Sequence, residues 1–181
     1  FVECHDNHTL WDKNRVCCYG ENRAVRQKRH IMATAMVLLA QGVPFIHAGQ
    51  EFARTKQNEG NTYNASDNIN MIDYTRKDEN SHLVDQVRQL IQIRRKHSSF
   101  RLDSLEAIRD HVQFEAMNDQ VLVYRCQDGD DSCISFFNPT YDTFVYAFGQ
   151  DVDILFDNGN SNRTKTNAVT IAPHSVVVCS Q

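Results

Sequence analysis

The feature that most constrains this chain is a change of hydrophobic period close to Phe100. Before that point apolar residues recur at helical spacing in two long stretches; after it they alternate over short runs broken by turn residues, as strands do. One chain therefore joins an α/β part to an all-β part.

In the first part the spacing predicts a helix over 22–41, with Ile31, Met32, Ala35, Met36, Leu38 and Leu39 on one broad face. Gly42 ends it, and the run 43–48, apolar throughout after Pro44, reads as a buried parallel strand. Residues 1–5 read as another short strand, and 81–96 as an amphipathic helix with Leu83, Val84, Val87, Leu90, Ile91 and Ile93 in its stripe. The polar stretch 49–80 is too long for an ordinary connector, which marks it as functional or poorly ordered. Beyond residue 104, strands are expected at 112–117, 121–126, 133–137, 143–147, 153–156, 168–171 and 175–179, with a turn at 157–162. Their even spacing suits an antiparallel β-sandwich, with Phe114, Tyr124, Phe136, Phe137, Phe144 and Phe148 facing its core.

This gives an α/β segment over 1–104 and a β domain over 105–181. A (β/α)8 TIM barrel takes about 250 residues, so the first segment holds only two βα units. Either they complete a barrel whose earlier strands precede Phe1, or they form a smaller α/β arrangement. Phe1 opens a strand-like run with no initiator Met, as a piece of a longer chain would.

Composition narrows the function. With 41% hydrophobic and 23% charged residues the chain can bury a core, and it is read as a soluble protein. A net charge of -4 without a basic cluster argues against nucleic acid as a partner. The most apolar window, 31–40, is too short to span a membrane, and the start is not a leader sequence. Six cysteines without CxxC or paired-His spacing give no zinc motif, so no metal or cofactor is expected. Cys126 and Cys133 could bridge a hairpin turning at 128–131, although six thiols in this length suit a reduced protein that uses them as small hydrophobes. N-x-S/T matches at Asn7, Asn64 and Asn162 occur readily by chance.

Catalytic groups of β/α barrels sit just past the carboxyl ends of strands. Two such places are visible: His5, Asp6 and Asn7 after the first strand, and His47 to Glu51 after the second, ahead of the long polar stretch. Aromatic rings at a groove rim can stack on a ligand, so Trp11 and Tyr63 are candidates, with core packing the alternative for Trp11. Arg54, Asn61 and Asn70 could bind a ligand's polar groups or tie down the loop. Glu51 reads as a partner for a nearby Arg, Asp12 as part of a helix's first turn, and His30, His82, His97 and His174 as surface or capping residues.

Residues 1–7 (FVECHDN) with Thr9 to Lys13 resemble the fourth conserved region of α-amylase-type glycoside hydrolases in the form type I pullulanases carry. The likeness continues through 41–52 (QGVPFIHAGQEF), Arg54 to Gln57, Asn61 to Asn64, Asp67, Asn70 and Asp73, and on to 93–101 and 135–139. Tyr74 stands where those enzymes more often have Trp, and Thr62 where they more often have Ser. The resemblance implies the last two βα units of a barrel plus the β-sandwich of a debranching hydrolase, cutting α-1,6 linkages in pullulan, amylopectin, glycogen or limit dextrins by a retaining mechanism. It implies that Asp6 is the third, transition-state-stabilising carboxylate and that His5 donates a hydrogen bond to the same sugar, with Asn7, Trp11, Arg54, Asn61, Tyr63 and Asn70 as substrate contacts. Nothing here matches the family's nucleophile or general acid, so the chain alone is expected to be inactive without the missing N-terminal barrel segment. A cytoplasmic location is expected, with secretion the alternative. Isoamylase or glycogen-debranching activity is the nearest other reading, although those relatives usually have Asp in place of Gln50. A non-catalytic glucan-binding module is the reading from another class.

Overall fold

A computed structural model describes residues 1–159 and 164–181. The Asn162 match and the end of the 157–162 turn lie outside the described residues. The chain divides into two compact units, Phe1–Leu38 with Val43–Arg88, and Leu39–Gly42 with Gln89–Gln181.

In the first unit, helix α1 (Leu10–Cys17) starts where Thr9 caps it: the Thr9 hydroxyl accepts from Asp12 N at 3.2 Å and donates to Asp12 Oδ2 at 2.9 Å. The Glu3 carboxylate accepts Leu10 N at 2.6 Å, so Thr9 and Glu3 each take one free donor of the helix start. Helix α2 (Arg23–Leu39) begins as Asn22 Oδ1 accepts Val25 N at 3.0 Å. It buries Ile31, Met32, Ala35 and Leu38, as the period requires, while Met36 stays partly exposed. Gly42 follows in a left-handed conformation that a side chain would resist. The polar stretch after it is ordered by three short helices, Gln50–Phe52, α3 (Asp67–Asn70) and α4 (Thr75–Glu79), before α5 (Ser81–Lys96).

Residues 1–5 and 43–48 are not strands here, contrary to the sequence expectation. A strand needs a neighbour to complete its ladder, and among the described residues neither run finds one. Val43 is 98% exposed and Phe1 77%, and the Phe1 and Phe45 rings meet edge to face. Of the four histidines read as surface or capping groups only His82 is exposed. His30, His97 and His174 are buried: one ring nitrogen of His30 bonds to Gln50 O, one of His97 to Asp131, and the His174 ring meets Tyr141 edge to face. Glu51 accepts from Gly49 N and not from an Arg.

In the second unit the Ser98–Phe100 turn and helix α6 (Leu105–His111) precede six antiparallel strands: β1 (Val112–Met117), β2 (Val121–Asp128), β3 (Asp131–Asn138), β4 (Phe144–Asp157), β5 (Lys165–Ile171) and β6 (Ser175–Ser180). They form one sheet in the order β1-β2-β3-β6-β4-β5. The runs 143–147 and 153–156 belong to the single long strand β4, whose register shifts twice. Strand β5 pairs with Phe144 to Ala147 and again with Val152 and Asp153, β6 pairs with residues of 153–157, and the Tyr146 ring lies 5.0 Å from that of Phe136 on β3. Val123, Ile134, Phe136, Val169 and Val177 belong to the buried core of this unit, with Phe144, Tyr146 and Phe148 packed against it.

The other face of β2 and β3 carries Tyr124, Cys126, Cys133 and Phe137, all buried. Cys126 and Cys133 are cross-strand partners, and both thiols are free. Burial pushes each of them, and Cys179, up to about 12. Phe114 does not face the core: it is 67% exposed and stacks 5.1 Å from Tyr124, because edge strand β1 has no layer over that position. Asn138 ties the sheet's end by donating to Asp142 O and Ala172 O, both at 2.8 Å, and accepting Thr140 N. No helix among the described residues is long and apolar enough to cross a membrane.

Phe136 is fully buried in this core. Phe136→Ala should cost about 3–5 kcal/mol, read as a fall in the urea midpoint with little change in slope.

Candidate functional site

The first unit contains an open cleft of about 500 Å³. One wall is His5, Asp6 and Asn7; the other is Gly60, Asn61, Thr62 and Tyr63, with Asn70 behind them. The polar loop and the end of the first apolar run, distant in sequence, therefore face each other.

The His5–Asn7 turn is fixed from beneath. Asp12, wholly buried, accepts the Thr9 and Thr55 hydroxyls and Lys56 N, the last at 2.6 Å, so its two oxygens join α1 to the start of the polar loop. Lys56, 2% exposed, then sends its ammonium under the turn and donates to His5 O at 2.6 Å and Asn7 O at 3.3 Å. A buried cation on two carbonyls is strongly anchored, since a charge taken from water must be hydrogen-bonded. Asn7 completes the turn at φ 59°, left-handed backbone that asparagine tolerates better than most residues.

Beside this lies a second buried network. Arg54 donates to His47 Nε2 at 3.3 Å, which makes Nδ1 the protonated nitrogen and donor to Glu3 Oε1 at 2.9 Å. Burial, then the charges of Arg54, Lys56 and His5, lower the His47 pKa and favour this neutral form. Burial pushes the Glu3 carboxyl up to about 7, against the opposing pull of Leu10 N, Arg54 and Lys56. Gln50 is enclosed: its amide donates to Thr34 at 3.0 Å and its carbonyl sits 2.7 Å from His30 Nε2.

Asp6 is left free by all this support. Its side chain is 67% exposed, and His5 Nε2, on a side chain 84% exposed, lies 3.4 Å from it. Both present polar atoms to the cleft. Tyr63, 83% exposed, offers an uncovered ring on the opposite wall. Gly60 lets that wall approach, because a Cβ there would lie 2.7 Å from His8 Cε1. Such a site can hold a neutral polyhydroxylated ligand between a carboxylate and an aromatic ring.

Six of the eight site residues read from the sequence, His5, Asp6, Asn7, Asn61, Tyr63 and Asn70, line the cleft together. Asn70 also ties its own loop, donating to Thr62 O at 2.7 Å and Ala65 O at 3.1 Å. Trp11 and Arg54 do not line it. Trp11 is buried with its ring edge-on to His30 and beneath the Arg26 guanidinium, 5.1 Å away. Arg54 is buried and spends its donors on His47, Ala48 O and Asn70 O. Sequence reasoning missed the supports Glu3, Lys56 and Asp12 and the wall residue Gly60. Their signal was weak: buried charges fall outside any apolar period.

No family model matches the chain. In sequence, the pullulanase of Bacillus subtilis strain 168 is 44% identical over 131 residues, covering 72% of this chain and 18% of that protein. In structure, the pullulanase of Anoxybacillus sp. LM18-11 complexed with maltotetraose superposes with a TM-score of 0.91 at 32% identity, over 100% of this chain and 27% of that one. The type I pullulanase of Bacillus subtilis strain 168 complexed with maltose gives 0.90 at 34% identity, over 99% of this chain and 27% of that one. The chain thus spans under a third of the length of the relatives it matches.

The Glu3 carboxyl, ordinarily near 4.5, stays protonated up to about 7 in the folded chain, so the stability it contributes is complete below 4.5 and lost as pH rises to 7. His30 works the other way: burial lowers it from 6.5 to about 4, and stability is lost as pH falls between those values. Glu3→Gln removes the first effect and keeps the second. Relative to wild type the variant should gain on the order of 3 kcal/mol between pH 4.5 and 7, measured by urea unfolding at stepped pH.

Proposed function

From its similarity in sequence and fold to the carboxy-terminal portion of bacterial pullulanases, we propose that this chain is part of an α-glucan debranching hydrolase. Residues 1–104 would be the end of its (β/α)8 barrel and 105–181 its trailing β-sandwich domain. The runs 1–5 and 43–48, which pair with no strand among the described residues and leave Phe1, Val43 and Phe45 exposed, support this reading. The rest of the polypeptide would supply the neighbouring strands.

The observation that carries the proposal is the exposed Asp6 carboxylate on the wall of a polar cleft, opposite Tyr63. Retaining glycoside hydrolysis passes through an oxocarbenium-like transition state between a nucleophilic carboxylate and a carboxylic acid. Asp6 is a third negative charge, held on a turn that cannot drift, and it favours the developing cation while gripping sugar hydroxyls. His5 donates to the same sugar, Asn7, Asn61 and Asn70 bind neighbouring hydroxyls, and the Tyr63 ring stacks on a pyranose face. Trp11 and Arg54 act from below as packing and loop support. The nucleophile and general acid come from elsewhere in the polypeptide.

Two measurements test this. Titrating the isotope-labelled chain with maltotriose should shift the amide signals of Asp6, Asn7, Asn61 and Tyr63, and Asp6→Asn should abolish the shifts; shifts confined to the β unit would favour a glucan-binding module instead. In the intact polypeptide Asp6→Asn should lower kcat on pullulan by about 100–1,000-fold, whereas the chain alone should release no reducing sugar.

A further inference from the structure

Away from the cleft, one group in the β unit carries metal-ligand chemistry that glucan binding does not use. His97 directly follows α5; Asp131 opens β3, and Cys133, two residues on, projects from the same side of that strand. A ring nitrogen of His97, a carboxylate oxygen of Asp131 and Cys133 Sγ all lie within 4.8 Å of one another. His97 and Cys133 are buried and Asp131 is half-buried. His97 Nδ1 is 2.6 Å from Asp131 Oδ1, while the buried Nε2 has no hydrogen-bond partner among the described residues. A buried imidazole nitrogen without a partner is uncommon and asks for one.

The surroundings supply an approach. An open hollow of about 170 Å³ is walled by Cys133 and its cross-strand neighbour Cys126, with Asp110 and His111 of α6 also on its lining. Cys133 thus borders an open hollow, whose lining also includes Arg125.

We propose that His97, Asp131 and Cys133 form a binding site for a divalent metal of the Zn²⁺ class, with water in the fourth position. Nitrogen, oxygen and thiolate together make the borderline-soft set that Zn²⁺ favours over Mg²⁺ or Ca²⁺. Tetrahedral zinc sets ligand atoms roughly 3.5 Å apart, so on binding the His97–Asp131 contact of 2.6 Å would open to admit the ion. On binding, the Cys133 thiol gives its proton to solvent and the thiolate bonds to the metal. The bound ion clamps the end of α5 to the β2–β3 hairpin, now joined by the His97–Asp131 contact and by Ser99 N on Asp131 Oδ2 at 2.9 Å. Thirty-three residues separate His97 from Asp131, so no short spacing announces the site.

The test is a titration of the chelator-treated chain with Co²⁺ and then Zn²⁺. One equivalent of Co²⁺ should give a thiolate-to-cobalt charge-transfer band that Zn²⁺ bleaches, and Zn²⁺ should raise Tm. Cys133→Ala should abolish the band and weaken Zn²⁺ binding roughly 100-fold, and Asp131→Asn, which keeps the side chain's volume, should weaken it roughly 10-fold. Cys4→Ser should leave both unchanged, although Cys4, His5 and Asp6 form the other trio of comparable spacing. Absence of the band in wild type, its survival in Cys133→Ala, or its loss in Cys4→Ser would overturn the assignment.

Discussion

The buried carboxylate of Asp12 is the constraint on which the candidate site depends. With no exposed surface it must find donors for both oxygens, and it takes them from Thr9 on one side and from Thr55 and Lys56 on the other. Satisfying that one charge pins the start of the polar loop against the first helix. Lys56, brought in by its backbone, can then reach the carbonyls of His5 and Asn7. The position of Asp6 at the cleft follows from groups that never touch the cleft themselves.

This division of labour separates two kinds of ionisable group. Glu3, Asp12, Arg54 and Lys56 are enclosed and spent on hydrogen bonds, and their role is to hold backbone. Asp6 and His5 are exposed and carry almost no structural duty. A site that binds a sugar needs both: donors and acceptors left free, on a turn too well anchored to rearrange when the ligand arrives.

Much of this was legible in the residues. Helix α5 runs over 81–96 as its stripe required, β1 over 112–117 as alternation required, and the cleft gathers His5 to Asn7 with Asn61, Tyr63 and Asn70. The failures have physical causes. Residues 1–5 and 43–48 carry strand composition, but strand pairing is not a local property, and among the described residues neither run has a neighbour. For Trp11 and Arg54 the sequence left groove contact open beside core packing and loop support, and burial decided for the latter, because burial depends on which way a helix or turn faces. His30 and His97 look polar in a list of residues and are enclosed in the fold, each on a partner far along the chain. Phe114 alternates correctly and is still exposed, because β1 is an edge strand.

The most direct test of the account is a crystal structure of this chain with maltotetraose. The expected result is an Asp6 carboxylate oxygen about 2.5–3.0 Å from a glucose hydroxyl, with the Tyr63 ring lying along a pyranose face and the His5–Asn7 backbone unmoved over Lys56. Sugar density on the β unit alone, or in the cleft with Asp6 turned away into solvent, would contradict it.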